Sequence, residues 1–376
     1  MLDEREGRHM RSLIRAIIPV HTYIGVEITD LQVKMCETYS KGSSIKVTNS
    51  LIHPLPEGTM NDGRIQDKTA LQQTIQKMLV ERKWRTRHVH FAIPSQSVMI
   101  RMMKLPAVSK AHLTKLIEFE MKHNVHLPFE DPYYDFIVMK QTTDIQATAP
   151  NPNNASDLLF GNGSGSPTDE VSPDRTCDVM LVAAPSELLN QYVQLFKDLD
   201  LRLNSMEIKS LSIIRTLEYC YQNLDNKIML LVDVNEASCD LTIIENQSVK
   251  ITRNVQTSFV SGQIALEPTG TDLNSLFNEF KNEDHVFDSA SSDLISEMER
   301  LMNFYRYSLN SNNQQVDYIY VCGDVDVEKL IDLMRQRMTQ QIVKFKWSSL
   351  NLSQEAVNFD ILPHIVTLGL SLRGKR

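Results

Sequence analysis

The stretch YIGVEITDLQVK, Tyr23 to Lys34, reads as a strand, a tight corner at Thr29-Asp30 and a second strand. It has the outline of a hairpin that grips phosphate, without the glycine such a hairpin needs. Glycine lets the backbone come close to a phosphate and take positive φ. Thr29 is β-branched and resists both. Whether this architecture serves a nucleotide depends on what surrounds it.

Working outward, three segments rich in Val, Ile and Thr run from Tyr23 to His53, punctuated by TD, SKGSS and HPLPEG, which is the pattern of a β-meander. Helical spacing follows over 68–83, at Leu71, Ile75, Met78 and Leu79. Two more strands flank the PSQS corner in HVHFAIPSQSVMIRMMKLP, His88 to Pro106. An amphipathic helix comes next, capped by Ser109, with Leu113, Leu116, Ile117 and Met121 facing inward. Residues 141–176 are rich in Pro, Gly, Asn and Ser, which predicts a disordered insert. The DLLF within it reads either as a docking motif or, more commonly for such a patch, as incidental. Order resumes with the strand CDVMLVAAP and helices near 186–198 and 208–221.

The second half opens like the first. KIMLLVDVNEASCDLTIIENQSVKITRNV, Lys227 to Val255, is again strand, corner, strand, turn, strand, with NEAS placed as TD is in the first copy. This is an internal repeat of a meander followed by helices. Helices are predicted over 289–309 and 325–337, with the strand VDYIYVCGD between them, while Glu267 to Ser292 reads as looser than a core element. The tail LPHIVTLGLSLRG is a last apolar helix.

At 376 residues with 42% hydrophobic content the chain supports two or more packed domains. Its longest apolar runs are strand length, well short of the roughly 20 residues that span a bilayer. Pro19 and the lack of a small-residue cleavage site argue against a secretory signal, so a cytoplasmic address is expected. Five cysteines without a C-x-x-C pair suit reduced, buried thiols. A net charge of -8 gives no general attraction to nucleic acid.

Two meander domains with hairpin corners aimed into a shared cleft are the plan of the actin-like ATPases. Along nearly the whole chain the sequence resembles, more narrowly, the PilM family of type IV pilus assembly proteins, related in fold to FtsA. The resemblance is carried by YIGVEITDLQVK, HPLPEGTMNDGRIQD before a helix, RTRHVHFAIPSQSVMIRMMKLP, IEFEMKHNVHLPFEDPYYDF, LLVDVNEASCDLTIIENQSVKITRNV, VDYIYVCGD and LPHIVTLGLSLRG, in that order and spacing. It implies an α/β, actin-like (ribonuclease H-like) fold: a duplicated β-meander plus helices, in two lobes with an extra subdomain in the first. The expected organisation is an extension at 1–21, a first lobe at 22–225 containing an extra subdomain at about 85–186 with the insert at 141–176, and a second lobe at 226–376.

The resemblance also carries the candidate cofactor-binding residues. In the first corner Glu27 keeps the family's acid and Lys34 its lysine, while Thr29 stands where the family has glycine and Asp30 follows it. In the second, Asp233 matches and Asn235 and Glu236 replace glycine and a small neighbour. In the third, Gly323 is kept and Asp324 stands where the family continues with glycine. QTSFVSG replaces a glycine pair after VKITRNV. All four departures remove glycine or add negative charge, so tight ATP binding is expected to be weakened or lost. Weak binding of ATP with magnesium is the alternative. The carboxylates of Glu27, Asp30, Asp233 and Asp324 are expected to gather in the cleft, with pKa values raised unless a cation or lysine compensates. No catalytic residue and no metal ligand set is expected. His88 and His90 share a strand face and His123 and His126 flank a helix end, and neither pair has an obvious third ligand. Arg82, Lys83, Arg85 and Arg87 around Trp84 read as a solvated helix end.

By resemblance the protein is a cytoplasmic scaffold rather than an enzyme. It would dock on the cytoplasmic tail of a PilN-like bitopic inner-membrane protein, in a groove bordered by the strands of 88–106, and link it to the assembly ATPase. An ATP-binding regulator and an FtsA-like membrane-tethered filament protein are the alternatives. Residues 8–18 place Leu13, Ile14, Ile17 and Ile18 opposite Arg8, Arg11 and Arg15, the layout of a weak interfacial anchor, of a segment packed on the body, or of a disordered arm.

Overall fold

The computed structural model describes residues 22–41, 44–142, 176–221, 224, 226–246, 248–259, 273–310, 313–345 and 360–374. The expectations for 1–21, for the DLLF motif and for all but the ends of 141–176 fall outside these residues. The chain divides into two compact units, Met1–Val98 with Ala184–Arg376, and Met99–Ala183.

The first unit contains two five-stranded sheets of the same design. In one, β1 (Thr22–Ile28), β2 (Gln32–Lys41) and β3 (Ser44–Pro54) form an antiparallel meander. Beyond β1 lie β6 (His88–Ile93) and β10 (Arg202–Ile208), both parallel to it, giving the order β10-β6-β1-β2-β3. The other repeats this with β11 (Ile228–Val234), β12 (Ser238–Glu245), β13 (Ser248–Gln256), β14 (Tyr318–Gly323) and β15 (Gln341–Lys344), in the order β13-β12-β11-β14-β15. The internal repeat read from the meanders is therefore a repeat of the whole sheet. Only its edge members β10, which carries Arg202, Asn204, Ser205 and Glu207, and β15, which is four residues long, escape the sequence pattern.

The first sheet buries Ile24, Val26, Val33, Met35, Val89 and Phe91 against helix α1 (Lys68–Glu81), through Leu71, Ile75 and Met78, and against α3 (Ser186–Asp198), through Tyr192 and Phe196. At about 1.5–3 kcal/mol per fully buried large apolar side chain, this layer is a main source of the lobe's stability. Asp67 caps α1 by accepting from the Ala70 amide. Between β3 and α1 sits the two-residue hairpin of β4 (Met60–Asn61) and β5 (Arg64–Ile65).

The second unit is a three-stranded sheet, β7 (Met99–Pro106), β9 (Thr176–Pro185) and β8 (Pro132–Thr142), with β9 central, together with α2 (Lys110–His123). Leu113 and Ile117 of α2 pack on Leu105, Cys177, Val179 and Leu181, while Leu116 and Met121 are only partly buried. Ser109 precedes α2 as expected, but its hydroxyl meets the His112 ring at 2.9 Å instead of a backbone amide.

One further expectation needs correction. The region read as loose is helical from Leu273 onward: α5 runs without a break from Leu273 to Phe304, followed by a π-turn at Tyr305–Leu309, and α6 spans Val327–Arg337. His88–Ile93 lies inside its sheet, and β7 is an edge strand of its own sheet. All five cysteines are buried, as expected.

Candidate functional site

The first corner closes without glycine because a hydroxyl does the work. The Thr29 amide donates to the Gln32 carbonyl at 2.9 Å, and the Gln32 amide donates to Thr29 Oγ1 at 3.1 Å. Neither Thr29 nor Asp30 is among the residues with positive φ. Such a side-chain-closed turn directs its own amide inward upon itself rather than toward a ligand.

Asp30 departs from expectation. Its carboxylate accepts from the amides of Asp62 at 2.8 Å and Gly63 at 2.9 Å, tying the corner to the β4–β5 hairpin. It does not join the other carboxylates.

Glu27, Asp233 and Asp324 do gather, with Asp240 as a fourth carboxylate and two lysines between them. Lys34, on β2, is 1% exposed. Its ammonium donates to Asn235 Oδ1 at 2.7 Å, pairs with Asp324 at 2.8 Å and lies 3.8 Å from Glu27. Lys209, the first residue of α4 (Lys209–Cys220), pairs with Glu27 at 2.9 Å, Asp240 at 3.1 Å and Asp233 at 3.6 Å. Around them, Gln32 Nε2 donates to Asp324 and Ser95 Oγ donates to Asp240 at 2.9 Å. Glu27, Lys34, Asp233, Asn235 and Asp324 thus enter one ionic network, while Thr29, Asp30 and Gly323 stand outside it.

Its electrostatics follow from burial and charge count. Burial alone would push the Glu27 carboxyl up, but the ammonium ions of Lys209 and Lys34 outweigh it and hold the group below its ordinary value. Burial works against both ammonium ions too, and the carboxylates led by Glu27 nevertheless raise Lys34, and raise Lys209 well above the ordinary value. Asp233 is the exception. Burial, with Glu27 and Asp240 adding to it, pushes its carboxyl up to about 6 against the pull of Lys209 and Lys34. His364, at the start of α7 (Ile365–Ser371), is pushed down to about 3, chiefly by burial and secondarily by Lys34, and is therefore neutral.

Gly323 has a structural reason to be glycine. Its φ is 134°, and a Cβ there would lie 1.8 Å from the Val234 carbonyl oxygen on the neighbouring strand. Parallel pairing of β14 with β11 requires it whether or not a phosphate is ever present.

Between the corners remains a cavity of about 20 Å³, lined by Thr29, Asp30, Gln32, Lys209, Asn235 and Glu236 among others. That is room for a water molecule. A larger groove of about 760 Å³ runs between β13 and α5, where Arg253 and Arg300 both pair with Glu297. No group of metal-ligating side chains is found among the described residues. His88 and His90 are engaged with Asn204 and Ser205 of the adjacent strand, at 2.9 and 2.6 Å.

Lys209 and Asp240 were missed in the sequence, and each left a signal. A lysine opening a helix stands at the positive end of the helix dipole, where a cation is disfavoured unless carboxylates surround it. Asp240 puts a carboxylate into the strand segment CDLTII, on the face that it shares with Thr242.

Comparison with known proteins agrees with this architecture. The family model described as type IV pilus assembly protein PilM matches residues 25–155, so the family read from the sequence is the one whose model matches. Among solved structures, the "PilM-PilN type IV pilus biogenesis complex" aligns over 94% of this chain and 98% of its own, with a TM-score of 0.70 at 18% identity. The ethanolamine utilization protein EutJ from Carboxydothermus hydrogenoformans aligns over 96% and 94%, with a TM-score of 0.49 at 11% identity. The fold is actin-like, in mixed α/β layers. Among the described residues no helix is long and apolar enough to cross a membrane.

Proposed function

We propose that the protein is a scaffold of a type IV pilus or related assembly machine, docking on the cytoplasmic tail of a PilN-like inner-membrane protein and linking it to the assembly ATPase. The observation that carries this reading is the match of residues 25–155 to the PilM family model, in a chain of which 94% aligns with the fold of the PilM-PilN complex. On this reading the protein is cytoplasmic and reaches the membrane through its partner. The cleft supports a role without ATP hydrolysis: the Thr29 hydroxyl closes the first corner, Asn235 of the second turns its side chain to Lys34, and buried ammonium ions occupy the space between them.

Titrating the full chain with a synthetic cytoplasmic tail of the PilN-like partner tests the proposal. Saturable micromolar binding is expected in the absence of nucleotide. Absence of binding, or binding seen only with ATP and magnesium, overturns the scaffold reading in favour of a nucleotide-dependent regulator.

A further inference from the structure

The two buried ammonium ions divide their contacts in an informative way. Lys34 and Lys209 belong to elements attached to the first sheet, as do Gln32 and Ser95, which assist them. Their acceptors Asp233, Asn235, Asp240 and Asp324 all lie on or just beyond β11, β12 and β14 of the second sheet. Glu27 alone is on the lysines' own side, and it holds Lys209 in place at 2.9 Å. Charge therefore runs across the cleft, in a direction that draws the two sheets together.

The surroundings of Lys209 are more specific than an ordinary buried ion pair. Its ammonium has carboxylate oxygens from three different strands within 3.6 Å: Glu27 on β1, Asp233 on β11 and Asp240 on β12. Convergent carboxylates from separate elements are what a hard divalent cation requires. Here a tethered monovalent cation fills the position, and it cannot diffuse away.

We propose that Lys34 and Lys209 form a clasp that holds the two sheets of the first unit together without any ligand, Lys209 supplying from the chain itself the positive charge that three converging carboxylates need. The clasp rests on reading the cleft as released from nucleotide, and it specifies what took over. Removing Lys209 leaves three carboxylates facing one another with only Lys34, 3.8 Å from Glu27, as a nearby counter-charge, which opens the cleft or recruits a metal. Asp240→Asn keeps the shape and the lysine but weakens one cross-cleft pair.

The test is hydrogen exchange and thermal melting of the full-length protein, as wild type, Lys209→Ala and Asp240→Asn, with and without manganese alone and separately with ATP and magnesium. In Lys209→Ala the amides at the cleft ends of β1, β11 and β12 are expected to exchange roughly tenfold faster or more, with β3 unchanged. Manganese is expected to restore its melting point, reversibly by chelator, and to leave the wild type unmoved. Asp240→Asn is expected to show the same exchange pattern to a smaller degree. It also decides the matter should Lys209→Ala not fold, since unaltered exchange in Asp240→Asn overturns the clasp. A variant that folds, exchanges like wild type and ignores manganese overturns it as well. A wild type stabilised by ATP with magnesium overturns instead the nucleotide-free reading beneath it.

Discussion

Asp233 shows how a charge imbalance is absorbed by one residue. Four carboxylates, Glu27, Asp233, Asp240 and Asp324, share two ammonium ions in a buried network. The excess falls on Asp233, whose carboxyl is pushed up to about 6, first by burial and then by its negative neighbours. A carboxyl with a folded-state pKa above its unfolded one favours folding below the unfolded value, and that contribution is lost as pH rises through the folded one. Between about pH 4 and 6 the folded protein therefore takes up a proton at Asp233 that the unfolded chain does not hold. Asp233→Asn keeps the shape without the titration. It is expected to be more stable than wild type at pH 7, on the order of 1–3 kcal/mol, with the advantage gone below about pH 4. Urea denaturation across this range measures it, and a constant difference at every pH would place the titrating group elsewhere. The positions Glu27, Lys34 and Asp233 were legible from the corner motifs. That Lys209 would join them was not, because its partners come from strands that only the tertiary fold brings to the start of α4.

At the scale of elements, the fit of α7 is set by glycines far apart in sequence. This seven-residue helix lies across β1 and α4, and its backbone touches theirs. A Cβ on Gly25 of β1 would stand 1.8 Å from the Thr367 carbonyl oxygen, and one on Gly369 would stand 1.9 Å from that of Ser212. Backbone cannot yield as a flexible side chain can, so Gly25→Ala and Gly369→Ala should each cost about 3 kcal/mol, at the upper end of overpacking effects. Gly374→Ala is a contrast. It has a φ of 77° but no atom within 4 Å of the added methyl, so only the backbone strain of about 1 kcal/mol is expected. Denaturant midpoints of the three variants check this, and equal losses would refute the close-packing argument. The sequence announced α7 as an apolar helix and both meanders as strands, because their periodicities are local. The first turns of α5 did leave a signal, Leu273, Leu276, Phe277 and Phe280 at helical spacing, which Pro268 and Gly270 just before them obscured, whereas the pairing of Gly25 with a helix some 340 residues later left none. Propensity is a weak guide where docking decides.

For the whole molecule, the duplicated sheets pose a question that the cleft answers: an actin-like body normally spends its two corners on phosphates. Small-molecule sites occupy roughly 300–1,000 Å³, whereas the space left between these corners is about 20 Å³. A triphosphate entering there would meet more carboxylate than ammonium. Each like-charge pair at about 4 Å costs on the order of 4 kcal/mol at the effective dielectric of a protein surface region. Restoring glycine at the corners leaves both obstacles in place, since Thr29 and Asn235 are only the rim of a network centred on Lys34 and Lys209. Calorimetric titration with ATP and magnesium is therefore expected to be silent both for the wild type and for Thr29→Gly/Asn235→Gly. Rescue by the glycines would mean that backbone access alone closed the site and that the lysines yield readily to phosphate. Micromolar binding by the wild type would mean that the cleft opens to admit nucleotide, and would make nucleotide state the first candidate for controlling which partner docks.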